Sequence, residues 1–187
     1  MTTFKDIYPQ DILDLIDSED FNNTELKSPM IKPEVIANIL GITYNENLDT
    51  EFDTDARQIK PHANDSFTTN RRKDMRSIAY ILLKTRTNYK NIRGSNWQAR
   101  INMYDRASIQ LADELLMPEK LIIDLIKEEM RPQYNIIKYT NPKTGVEEAD
   151  IKQYKKEDYD VLQRVAELLQ VNDDVFKHRT RTLGIIH

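Results

Sequence analysis

Two apolar stripes at the centre of the chain limit what it can fold into. Met75, Ile78, Ala79, Leu82 and Leu83 recur at i, i+3, i+4, i+7 and i+8, the spacing that lines one face of an α-helix. After a break at Gly94-Ser95-Asn96, Trp97, Ile101, Tyr104, Ser108, Leu111 and Leu115 fall every three or four positions. They predict a helix of about five turns, expected to be the central one of the core. Shorter signals surround this pair. Ile12, Leu13, Leu15 and Ile16 predict a helix over 9–16, and the acidic, Asn-rich stretch 17–24 then reads as a loop. Pro33 opens a helix through Val35, Ile36, Ile39 and Leu40 that Gly41 closes, and Ile42-Thr43-Tyr44 begins a strand. The polar stretch 45–70 reads as loop with room for a short strand around Ile59. Pro118 fits the first turn of a helix carrying Leu121, Ile122, Leu125 and Ile126. Two strand-prone runs flank Thr140-Asn-Pro-Lys-Thr-Gly145, which predicts a β-hairpin at about 134–151. The end predicts two helices, one from about Glu157 and one capped by Asn172. The expected class is α+β and mostly helical.

Composition narrows the chemistry. With 187 residues the chain is expected to form one domain with appendages, or two small ones packed together. No apolar run approaches the roughly 20 residues of a membrane helix. The start, Met1-Thr2-Thr3-Phe4-Lys5-Asp6, shows no basic-then-apolar leader, so a cytoplasmic protein is expected. The absence of cysteine removes disulfides, thiolate metal sites and cysteine nucleophiles together. Of the three histidines, His62 sits in a polar loop, His178 on the last helix and His187 at the end, so no two share a helical face as a zinc pair would. The neighbouring acids Asp113-Glu114 and Glu147-Glu148 read as solvated faces rather than metal ligands. There is no Walker loop and no nucleophile elbow. No cofactor and no metal are expected.

Charge is unevenly spread. Residues 71–100 hold nine bases against the single acid Asp74, a net of +8, while the rest of the chain nets −12. A segment of this kind steers acidic partners, whether protein or nucleic acid, unless it is folded against acids of its own molecule. The candidate binding residues are Arg71, Arg72, Lys73, Arg76, Lys84, Arg86, Lys90 and Arg93.

Separated runs, in order, resemble the ImmA/IrrE family of small bacterial and phage metallopeptidases. Lys32-Pro-Glu-Val-Ile-Ala-Asn-Ile-Leu-Gly-Ile42 is similar to the family's opening helix. Asn64-Asp-Ser66, Arg71-Arg72 and Ile78-Ala79 resemble the run into its zinc helix, and Leu111-Ala-Asp-Glu-Leu-Leu-Met-Pro118 resembles its most specific signature. Leu169 to Val175 and Leu183-Gly-Ile185 look like its closing helices. The resemblance implies a zincin-like helical core with a short β-hairpin or small sheet over 32–187, preceded by an N-terminal extension, 1–31. It also implies a zinc motif, His-Glu-x-x-His, after Ile78-Ala79. Here those positions read Tyr80-Ile81-Leu82-Leu83-Lys84, and a frame one turn earlier, Arg76 to Tyr80, offers no ligands either. The family's acidic ligand falls at or near Asp105. A pairing of Lys84 with Asp105 in place of the metal is therefore expected.

The resemblance implies a catalytically inactive pseudo-peptidase that binds a partner. Family members commonly act on helix-turn-helix repressors or toxin–antitoxin-type modules of phages and mobile elements. Two other classes remain. One is nucleic-acid binding through the basic segment, with Tyr80, Tyr89 or Trp97 stacking on bases, or through Lys177, His178, Arg179 and Arg181 of the last helix read as a helix-turn-helix. The other is a metallopeptidase with a zinc site rebuilt from His62, Asp105 and a further carboxylate.

Overall fold

The computed structural model describes residues 1–86, 97–131, 133–140, 147–154 and 158–185, with side-chain surroundings for 1–86, 103–131 and 160–185. The element order is α1 (Phe4–Ile7), α2 (Gln10–Ile16), α3 (Glu19–Asn23), α4 (Pro33–Ile39), β1 (Thr43–Tyr44), β2 (Phe52–Asp53), β3 (Gln58–Ile59), α5 (Phe67–Arg86), α6 (Trp97–Leu116), α7 (Glu119–Glu129), β4 (Gln133–Thr140), β5 (Glu147–Tyr154), α8 (Asp158–Leu169) and α9 (Asp173–Thr182). The class is α+β and mostly helical, as the periodicities predict.

α5 and α6 are the longest helices described and pack along one another. The stripe residues Met75, Ile78, Ala79 and Leu82 of α5 are buried, as are Leu111 and Leu115 of α6. The residues 1–31, expected as an extension, pack into the same core. Phe4, Ile7, Tyr8, Ile12, Leu13, Ile16, Phe21 and Ile31 belong to one buried cluster with the stripes of α5 and α6. The Tyr8 hydroxyl donates to the Leu115 carbonyl of α6, and the rings of Phe4, Tyr8 and Phe21 meet with centroids 5.0–5.4 Å apart. Burial of those three rings stabilises the join by several kcal/mol. The stretch 17–24 is not all loop: Ser18 accepts from the Phe21 amide and caps α3, and Phe21 anchors that turn in the core.

The small sheet has the order β1-β3-β2. β1 runs parallel to β3, with Thr43 opposite Gln58, and β2 runs antiparallel to β3, with Phe52 opposite Ile59. Gly41 at φ +65° makes the left-handed turn from α4 into β1, a conformation glycine adopts without strain. β4 and β5 form the expected hairpin, Ile136 opposite Ile151. The turn proper at 141–146 lies outside the described residues, as do the Gly94-Ser95-Asn96 break, Tyr89, Lys90 and Arg93. Pro118 stands at the N-cap of α7, one position earlier than the first turn, and Asn172 caps α9 by accepting from the Asp174 amide at 2.9 Å. Among the described residues no helix is long and apolar enough to cross a membrane.

Candidate functional site

The helical repeat fixes which α5 side chains meet α6. Positions 76, 80 and 84 are one turn apart and share a face, and that face looks onto Tyr104 and Asp105. Tyr80 lies between the ring of Phe52 from β2, at 4.4 Å, and that of Tyr104, at 5.8 Å. The Lys84 ammonium stands 4.4 Å from the Tyr104 ring centroid and 5.5 Å from that of Tyr80, within range for a cation–π contact. Asp105 pairs with Arg76 at 3.4 Å. This corrects the expected Lys84–Asp105 pair: the ammonium goes to the aromatic faces, and the guanidinium of Arg76, two turns closer to the start of the helix, takes the carboxylate. An exposed lysine whose ammonium lies over two tyrosine rings avoids the desolvation of an enclosed ion pair. Burial, with the Asp105 charge adding to it, holds the Tyr80 phenol above its ordinary range. Ile81 points into the core and is fully buried.

These residues do not fit a zinc ion. A protonated lysine repels it, and an un-ionised phenol and an isoleucine replace the two imidazoles and the carboxylate that the resemblance implies. Among the described residues no three of His, Asp and Glu are arranged to hold a metal. The rebuilt set proposed from sequence is not assembled either, because His62 turns to Asp74 and Asp105 to Arg76.

Among the described bases of the segment, Arg72, Lys73 and Arg76 pair with acids of the same molecule, and Arg71 and Arg86 bond backbone carbonyls. Arg71 is buried, and its N–H groups bond the carbonyls of Ile31, Leu169 and Gln170; burial pushes its pKa down to about 10. It is therefore a structural cation and not part of a binding face. Arg72 grips Asp113 with two bonds of 2.7 and 2.9 Å. Asp113, expected on a solvated face, is 7% exposed, and Glu114 beside it reaches Arg179 at 3.5 Å. Lys73 pairs with Asp65 at 2.7 Å, and Arg86 donates to the Ile16 carbonyl. On α9, Lys177 pairs with Asp173, so two of the residues considered for base reading, Lys177 and Arg179, are committed to acids of the same molecule.

A second cluster was not legible as a site. Asp74, the lone acid of the basic segment, sits one turn before Ile78 and accepts from both the His62 amide, at 3.0 Å, and the His62 Nδ1, at 2.7 Å. The other ring nitrogen, Nε2, is 3.9 Å from Glu51. Burial holds the Asp74 carboxyl above its ordinary pKa, against the lowering by the His62 hydrogen bonds and charge. With the folded pKa raised, the contribution of this group to stability is complete below the ordinary aspartate value of 3.8 and is lost as the pH climbs through the raised value. Asp74→Asn keeps an acceptor for His62 and cannot ionise. Its melting temperature relative to the native protein is thus expected to rise as the pH goes from below 3.8 toward neutral; a difference constant across the series would refute the assignment.

Compared with protein-family models, with curated proteins and with solved structures, the chain matches none.

Proposed function

We propose that the chain is a non-catalytic, ImmA/IrrE-like protein of the cytoplasm that works by binding a protein partner, a helix-turn-helix regulator of a phage or mobile element. The reading rests on the resemblance of the runs at 32–42, 64–79 and 111–118. The observation that carries it is the stack of Phe52, Tyr80, Tyr104 and Lys84. Where a zinc relative would keep two imidazoles, a carboxylate and an open coordination position for water, this chain has packed rings with a lysine ammonium over them. A scaffold so filled supplies no nucleophile at that point and retains its surface. Nucleic-acid binding is disfavoured by the internal pairing of Arg72, Lys73 and Arg76, since paired cations release fewer counterions from a phosphate backbone.

The test has two arms. The purified protein is titrated calorimetrically with the helix-turn-helix regulator encoded beside its gene, and its zinc content is measured in parallel. Saturable one-to-one binding without cleavage, by a protein free of stoichiometric zinc, is expected. Regulator cleavage that a chelator stops overturns the reading, and so does tight, steeply salt-dependent binding of DNA with no affinity for the regulator.

A further inference from the structure

β4 and β5 pair along their whole length, from Gln133 opposite Tyr154 to Thr140 opposite Glu147, and among the described residues no third strand joins them. A two-stranded ribbon alone is marginally stable in water and gains independent stability from a further strand or a packed layer. Successive positions alternate between the faces of a sheet, so the pairing sets Tyr134, Ile136 and Ile151 on one face and Ile137, Tyr139 and Tyr154 on the other. The two outer edges differ in charge. β5 carries Glu147, Glu148 and Asp150 against Lys152, and acids so grouped keep an edge from pairing with its like, whereas the one charged position of β4 is Lys138.

We propose that β4 pairs antiparallel with β4 of a second copy of this chain, giving a four-stranded sheet in the order β5-β4-β4-β5. Residues directly opposite one another in an antiparallel pair share a face. A two-fold axis between identical strands leaves each face on its own side, so one residue of β4 must stand opposite its own copy. With Ile136 as that residue, the Ile136–Ile151 pair of each hairpin joins that of the other in a single row of isoleucines across the sheet. Tyr134 then stands opposite Lys138 of the second copy, so the two lysines do not meet. Centring on Ile137 instead would end the row at Asp150 on both sides and set Lys138 against Ile136. The contact closes at two copies and leaves the acidic β5 edges outermost, where they discourage further strands. It does not depend on the proposed function.

Sedimentation equilibrium of the full chain is expected to give twice the chain mass. The chain has no cysteine, so a single one introduced by substitution can cross-link only to its own copy. Under mild oxidation Ile136→Cys is expected to form a disulfide-linked dimer, because opposed positions of an antiparallel pair lie near disulfide distance. Ile151→Cys, on the same face but on the outer strand, is expected to stay unlinked. Ile136→Glu and Ile136→Lys are each expected to weaken the dimer about tenfold, by losing apolar contact and setting like charges across the axis. An equimolar mixture of those two chains is expected to restore it, which hairpins that had merely unfolded would not do. A native chain that is monomeric at about 100 µM, cross-linking as efficient at 151 as at 136, or a mixture no more dimeric than its components overturns the inference. So does a monomer whose β4 amides gain protection from exchange only when the regulator is added, which would give the edge to a strand of another protein.

Discussion

Arg71→Met is expected to lower the free energy of unfolding by about 3–5 kcal/mol, the largest effect of any single substitution in the charged segment. Methionine fills much of the volume of the arginine stem, so the loss is polar in origin. The guanidinium holds the Ile31 carbonyl with two nitrogens and the Leu169 and Gln170 carbonyls with a third. Without it, the buried Ile31 and Leu169 carbonyls lose their donors, each at about 1–3 kcal/mol before relaxation, while the Gln170 carbonyl lies at an exposed residue that water reaches. Arg71→Lys should fall between the two, because an ammonium on a flexible stem cannot span acceptors from two separate segments. Urea denaturation of the three proteins measures this. An unfolding free energy for Arg71→Met within about 1 kcal/mol of the native one would show that the carbonyls find other partners and that Arg71 holds nothing together.

The second large effect is a gain. Converting Tyr80 and Lys84 together to histidine puts two imidazoles one helical turn apart on the face of α5 that looks onto Asp105. Two histidines and a carboxylate are a sufficient protein set for a zinc ion that keeps one water. The double variant is expected to bind zinc on the order of 100-fold more tightly than either single variant, because the second ligand is held on the same rigid helix. Competition against a chromogenic chelator gives the constants, and adding Asp105→Asn should lower the gain. No difference between double and single variants would mean that residues 80 and 84 do not face the third ligand as a metal requires. The resemblance at this helix would then lose its geometric basis. Ile81 is left in place because it is fully buried, and a glutamate there would carry an unpaired charge into the core.

The helices were legible in the sequence because they are amphipathic over several turns, and their caps, Asn172 and Gly41 among them, are chemistry local to a few residues. The three-stranded sheet was legible only at its ends. Its strands are two residues long, too short to display a period of two, and their register depends on partners found only in three dimensions. The first and third helices, of 4 and 5 residues, are likewise below the length at which a stripe can be read. Charge placement failed for a different reason. Asp113 looked solvated because nothing nearby in sequence pairs with it; its partner Arg72 is 41 residues away. Lys84 was assigned the wrong partner because a four-carbon stem reaches a ring as readily as a carboxylate, and sequence does not rank the two. The Asp74–His62 pair had one usable signal, a solitary acid within a run of bases.

Tyr8 and Leu115 are bonded across 107 residues, and Arg71 and Leu169 across 98. Such distant closures carry a large loop entropy before any contact rewards it, so the native state should form slowly for a mostly helical protein. On the ribosome, the first 31 residues emerge long before the helices they lie against. Their aromatic side chains must wait uncovered until α6 and α7 are made, and during that interval the nascent chain is open to chaperones and proteases.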